Sequence, residues 1–347
     1  MDLSILIPTL NRTKQLSKIL NYYFKINFRA KIYILDSSDE VHLNKNSFEI
    51  QKYSKLIIVH KKIFGSSSQV LGKVLPEINT KYSVFSGDDD FFSEKGLEKS
   101  IKFLDENNDF SASHGKMLNL IYSDDKLNSI LNISNYNSMG FDNCYNKPLE
   151  RLIFSLKNYQ TSTFAVHRTE IFQKIYSYAD TNKIVKNALV NENIFYNELL
   201  FNFLSSCYGK NKSLDNLYMV RTSVYSPIKK NFFSQKKIHD FFIKNKQGRQ
   251  VIKNVSNILS NEITSVDNSD YEFNKKIIDK ELIKFIKKNY IQYLKFFRIF
   301  IFENIRKVLR FLGILNFIKK IILKKNNYQD NKKYSEELKF MYKFFID

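Results

Sequence analysis

This chain is short of the residues that mark several common functional classes. It has two cysteines, Cys144 and Cys207, far apart and with no CxxC or Cys/His cluster around them. A disulfide framework and a zinc site are therefore not expected, and both thiols read as reduced structural residues of a cytoplasmic protein. Glycine is scarce, at nine residues. No GxGxxG follows the first apolar run and no GxxxxGK[ST] occurs anywhere, which argues against a dinucleotide-type Rossmann domain and a P-loop ATPase. Across residues 281–325 no stretch of about eighteen residues is free of charge, so a membrane-spanning helix is not expected there. No apolar leader is expected before the first strand, and no internal repeat is visible.

Negative charge is also in short supply. The chain carries 55 Lys and Arg against 35 Asp and Glu, a formal net charge of +20. Such a balance invites a nucleic-acid reading, since phosphate neutralisation by cations supplies most non-specific affinity. No helix-turn-helix, zinc-finger or RNP-like motif accompanies it, so nucleic acid is the lesser expectation. At 347 residues and 43% hydrophobic content, one enzyme-sized domain with an appendage is expected.

What is present is an alternating pattern. Leu3 to Ile7 is an apolar run that Pro8 should stop, and Thr9 to Arg12 form a polar turn. Thr13 to Ile26 put Leu16, Ile19, Leu20 and Tyr23 on one helical face. Ala30 to Leu35 reads as a second strand ending in Asp36-Ser37-Ser38-Asp39, Leu56 to Val59 as a third, Ser66 to Ile78 as a helix and Tyr82 to Phe85 as a fourth strand. Strands alternating with helices predict an α/β fold with a mostly parallel sheet. Ligands of such sheets bind beyond the carboxyl ends of the strands, so Pro8, Thr9, Asp36 and the run Asp88-Asp89-Asp90 should converge on one crevice.

The triplet after Gly87 carries the most information. Three adjacent carboxylates repel one another and are best tolerated where a divalent cation, or a cation with a phosphate, neutralises them. The plainer alternative is an acidic loop or the start of a helix at Phe91-Phe92-Ser93-Glu94.

Ile5-Leu6-Ile7-Pro8-Thr9-Leu10-Asn11-Arg12, Tyr33-Ile34-Leu35-Asp36-Ser37-Ser38 and Phe85-Ser86-Gly87-Asp88-Asp89-Asp90 together resemble the N-terminal half of a GT-A glycosyltransferase of the family 2 type. The resemblance covers about two thirds of the chain. It implies a GT-A fold over residues 1–235, with 236–347 as a helical, basic extension. It implies a nucleotide-sugar donor held by Pro8, Thr9, Asn11, Arg12, Asp36, Gly87, Asp88 and Asp89, with Asp36 at the base. It also implies a divalent metal, Mn²⁺ or Mg²⁺, on Asp88 and Asp90. Lys73 and Arg12 would face the diphosphate, although in so basic a chain a solvated surface role competes for both. Asp36-Ser37-Ser38 departs from the second acidic residue and Gly-Ser that many members carry there.

In the second half, Ser111 to Lys116 reads as a strand, Leu149 to Leu156 as a helix after Pro148, and Thr161 to Phe172 as a strand running into a helix at Thr169 and Glu170. His60, His114 and His167 read as ordinary residues near strand ends, with His114 a candidate acceptor contact. A helix from Ile194 to Tyr208 should end at Gly209 as a left-handed cap and carries Glu198 among apolar neighbours. Glu198 is either a surface residue or, as the resemblance implies, the carboxylate general base for an inverting transfer. Glu192 competes for that role. Residues 247 to 280 read as a polar connector. Across 281–325, Leu294, Phe297, Ile301, Ile305, Val308, Leu312 and Leu315 recur at spacings of three and four opposite Arg306, Lys307 and Arg310. That is a basic amphipathic helix, suited to an anionic membrane surface at the cytoplasmic face or to packing on the domain. The resemblance implies a glycan or lipid-linked acceptor. Two other functions stay open: a non-catalytic glycan- or nucleotide-binding module and a basic nucleic-acid binder.

Overall fold

The computed structural model describes residues 1–122, 130–135, 142–159, 161–180, 198–224, 242, 244–288 and 341. Its first half alternates strands and helices: β1 (Leu3–Thr9), α1 (Thr13–Lys25), β2 (Lys31–Asp36), α2 (Glu40–Gln51), β3 (Ile58–Lys62), α3 (Ser67–Val74) and β4 (Tyr82–Phe85). There follow β5 (Asp90–Phe92), α4 (Glu94–Glu106), β6 (Phe110–Tyr122), β7 (Ile130–Asn135), α5 (Pro148–Lys157), β8 (Val166–Arg168), α6 (Thr169–Asp180), α7 (Leu200–Tyr208), β9 (Lys210–Val224) and α8 (Lys246–Asp267). A last described helix, α9, spans 271–288.

One sheet joins all nine strands in the order β3-β2-β1-β4-β8-β6-β9-β5, with β7 on the free flank of β6. The first four are parallel, Ile5 sitting level with Ile32 and Val84. The α/β expectation holds. The sheet beyond β4 is mixed, because β8 runs antiparallel to β4 and β6 while β6 and β9 are parallel to each other.

The unbroken apolar run of β1 has a physical cause, since both faces of this strand are covered. Leu3, Ile5 and Ile7 point into one core with Leu16, Ile19 and Tyr23 of α1 and Leu97 and Leu104 of α4. Leu6, with Tyr33 and Leu35 of β2, points into a second core built from α3, α5, α6, α7, α8 and α9.

Pro8 does not stop β1, which continues to Thr9 with Pro8 opposite Leu35. The Ser86 N–H donates to the Leu6 carbonyl, so even-numbered residues of β1 face β4. That strand has ended by the level of Pro8, and the missing N–H forfeits no ladder bond.

Two further expectations change. Residues 247–280 are not a connector: α8 aligns Val251, Val255, Leu259 and Ile263, all buried, on one face against the second core. Gly209 is not a left-handed cap, having φ −180° and ψ 176°. It is needed for space, because a Cβ there would lie 2.5 Å from the Cβ of Ser111. At the start of the predicted 281–325 helix, Leu282, Phe285 and Ile286 are buried in the second core, so this end packs on the domain. Residues 289–325 of it lie outside the described residues. Among the described residues no helix is long and apolar enough to cross a membrane.

Candidate functional site

Beyond the carboxyl ends of β1, β2 and β4, Thr9, Asp36 and the Asp88-Asp89-Asp90 run come to the same end of the parallel sheet. Thr9 and Asp36 are partners in register, and the chain leaves β1 through Asn11 in the left-handed region, φ 56°. Asn tolerates that conformation better than most residues. The turn ties two strand ends together: the Asn11 N–H donates to Ser38 Oγ at 2.9 Å, and the Asp39 N–H donates to Asn11 Oδ1 at 3.0 Å. Arg12 then occupies the N-cap position of α1, without a side-chain capping bond.

Asp36 is fully buried, and hydrogen-bonding groups of the fold surround it. It accepts the Ser38 N–H at 3.0 Å, Asn46 Nδ2 at 2.9 Å and His60 Nε2 at 2.9 Å. Burial alone would raise its pKa, but the hydrogen bonds from His60, Ser38 and Asn46 outweigh burial and hold it at about 2. With its carboxylate saturated from inside the fold, Asp36 fixes the β2 end and orients His60.

The triplet is neutralised by arginines. After Phe85 the chain turns through Gly87, where a Cβ would lie 2.7 Å from Asp90 Oδ2 and 2.9 Å from Asp89 Oδ1. Only glycine fits there. Asp88, 3% exposed, accepts Thr9 Oγ1 at 2.8 Å and faces Arg12 NH1 at 2.6 Å. Asp89, 28% exposed, meets Arg12 NH2 at 2.8 Å. Asp90 is fully buried and engages Arg221 of β9 through both oxygens, at 2.7 and 2.9 Å, while also accepting the Gly87 N–H. The helix-start alternative fails: Ser93 caps α4 by accepting the Gly96 N–H.

Burial pushes the Asp88 carboxyl up to about 6, against the pull of Arg12 and Thr9. Asp90 is likewise raised by burial, and Arg221 opposes the rise. Arg221 also lies over the Phe164 ring, its Cζ 4.3 Å from the centroid. The chemistry is that of a site for hard anions and cations: the Asp88 and Asp89 carboxylates with a half-buried guanidinium between them.

Lys73 is not part of this cluster; it is exposed and donates to the Phe64 carbonyl. Asp90, which the resemblance gave to a metal, has both oxygens on Arg221. Among the described residues no group of three or more His, Cys, Asp or Glu forms a metal cage. Asp88 and Asp89 nevertheless fit a divalent cation of the Mg²⁺ type, which is held by one or two carboxylates together with substrate phosphates. The Arg12 guanidinium already stands there as a cation.

Glu198 is exposed just before α7 and accepts the Tyr159 hydroxyl at 3.0 Å. Asn202, one turn on, donates to Tyr159 Oη and to the Glu198 carbonyl, and its Oδ1 accepts the Ser162 N–H at 2.6 Å. The loop from Thr161 to Phe164 thus links Glu198 to the ring beneath Arg221. Glu192 lies outside the described residues. His114 is buried in the wall of a small polar pocket with Asn143, Ser162 and Asn202.

Arg221, Asn46, His60, Tyr159 and Asn202 were not expected as site residues. The sequence signal for Arg221 is a lone cation closing the apolar run Leu217 to Val220.

No family model matches the sequence, and no curated protein matches it. Among solved structures, S. aureus TarS is similar at 18% identity and TM-score 0.43, covering 76% of this chain and 44% of that one. This chain therefore spans less than half of that TarS chain. TarS 1–349 in complex with UDP-GlcNAc is similar at 16% identity and TM-score 0.42, over 86% of this chain and 92% of that one. The mannosyltransferase PcManGT from Pyrobaculum calidifontis, in complex with GDP-Man and Mn²⁺, is similar at 10% identity and TM-score 0.41, over 83% and 87%. These are likenesses of outline.

Proposed function

We propose that this chain is a glycosyltransferase that moves a sugar from a nucleotide-sugar donor to a glycan or lipid-linked acceptor. One observation carries the reading: Thr9, Arg12, Asp88 and Asp89 come from separate strand ends to form a compact cluster of carboxylates and a guanidinium at the mouth of a parallel sheet. A nucleoside diphosphate needs both signs there, guanidinium for its oxygens and carboxylates for its cation.

In this reading Asn11, Ser38 and the Asp36–His60 pair shape the nucleotide end, and Arg12 binds the diphosphate. Asp88 and Asp89 would hold Mn²⁺ or Mg²⁺, which stabilises negative charge on the departing diphosphate when bound. Asp90 is a support for the turn. Glu198, oriented by Tyr159, takes the proton of the acceptor hydroxyl. The hydroxyl oxygen bonds to the anomeric carbon as the carbon–oxygen bond to the diphosphate breaks. A single such displacement inverts the anomeric centre.

Calorimetry of UDP-, GDP-, TDP- and CMP-sugars with and without Mn²⁺, on wild type and Asp89→Ala, tests this. The expected result is cation-dependent binding of one donor that the variant loses. Failure of the wild type to bind any of them would sink the proposal.

A further inference from the structure

Arg12 and Arg221 neutralise the same triplet by different means. Arg221 grips one fully buried carboxylate through two of its nitrogens, and its Cζ lies over the Phe164 ring. Arg12 divides one guanidinium between two carboxylates, Asp88 at 2.6 Å and Asp89 at 2.8 Å, and its side chain is 41% exposed. It occupies the space between Asp88 and Asp89, and a dication and a guanidinium in contact with the same two carboxylates would repel each other strongly.

We infer that Arg12 and a divalent cation are alternative occupants of the position between Asp88 and Asp89, and that a nucleoside diphosphate drives the exchange by giving the guanidinium a second anion. This rests on the diphosphate reading of the site. Guanidinium and phosphate pair bidentately, so the departing Arg12 has a partner as good as the one it leaves. Cation and nucleotide then bind cooperatively. By linkage, the factor by which the nucleotide raises cation affinity equals the factor by which the cation raises nucleotide affinity. Arg12 makes that factor large by keeping the cation out of the empty site.

The test is Mn²⁺ binding to the full chain, followed by the paramagnetic resonance of free Mn²⁺ and by calorimetry, for wild type, Arg12→Gln and Arg12→Lys. It is then repeated with uridine and guanosine diphosphates. Without nucleotide, Arg12→Gln should bind Mn²⁺ about tenfold more tightly than wild type, and Arg12→Lys, which keeps the charge, should stay near wild type. Arg12→Gln should also bind the diphosphate about tenfold more weakly, with the coupling factor falling toward one. The N-cap position makes no side-chain capping bond to lose, and circular dichroism checks the fold. If Arg12→Gln binds Mn²⁺ no more tightly than wild type, including the case where neither binds it, the inference is overturned. A wild type that binds Mn²⁺ but no nucleoside diphosphate would instead refute the transferase reading, while the comparison of Arg12→Gln with wild type still decides the exchange.

Discussion

Two neighbouring strand ends in this molecule carry buried carboxylates, and they stabilise them in opposite ways. At the end of β2, Asp36 is held by a backbone N–H, an amide and an imidazole. Beyond β4, Asp88 and Asp90 are held chiefly by guanidinium groups. The first arrangement depresses the pKa to about 2 and the second leaves Asp88 near 6. Several hydrogen-bond donors of the fold hold a carboxylate in its charged form. At Asp88 the counter-ion is a guanidinium shared with Asp89 and partly exposed, which a second cation could replace. Asp36 is built to stay as it is; in the proposed exchange, Asp88 changes partners.

That contrast can be broken most severely at Arg221. Arg221→Ala strands the buried Asp90 charge, and urea unfolding should show a loss of about 3–5 kcal/mol. Adding Asp90→Asn should restore much of it, because a neutral amide tolerates the site better than an unpaired carboxylate. A single variant as stable as wild type would mean that Asp90 is not dependent on its counter-ion.

The dipole-held end should fail with acid. A carboxylate whose folded pKa is depressed contributes stability above its unfolded pKa and loses it as pH falls through the folded value. Between pH 5 and pH 2 wild type should lose about 2 kcal/mol more than Asp36→Asn. Parallel pH profiles for the two proteins would show that Asp36 is not held as described.

Thr9→Val sharpens the comparison at smaller scale. It removes one hydrogen bond to Asp88, worth about 1 kcal/mol, and should raise the Asp88 pKa further, read by carboxyl NMR titration. Smallest is Lys73→Ala, expected to change stability by less than about 0.5 kcal/mol and nucleotide affinity not at all. A tenfold loss of affinity would return Lys73 to the site.

The legible parts of this fold are those whose cause is local. β1, β2 and β4 are buried on both faces and end in polar residues, so each appears as an apolar run with a marked terminus. Thr9, Asp36 and Asp88 could be read from those termini. α2 could not, because its one buried residue is Asn46, which serves Asp36 and not an apolar core. α8 looked like a connector because serines and asparagines dilute its apolar stripe, and two of those serines, Ser256 and Ser260, are themselves fully buried. The partners of the site carboxylates were hidden by distance along the chain. Asn46 and His60 lie 10 and 24 residues from Asp36, and Arg221 lies 131 residues from Asp90. Nothing in a local pattern announces a counter-ion that far away.

That last separation sets an order of events during synthesis. At about 5–20 residues per second, a ribosome makes Asp90 roughly 7–26 seconds before Arg221. β5 hydrogen-bonds to β9 in the sheet, pairing Asp90 with Arg221 directly. β1 to β4 can therefore be complete before Asp90 has its counter-ion. Thr9 and Arg12, the partners of Asp88 and Asp89, are made before the triplet, whereas the partner of Asp90 is made long after it, so the last of the three carboxylates waits longest for its counter-ion.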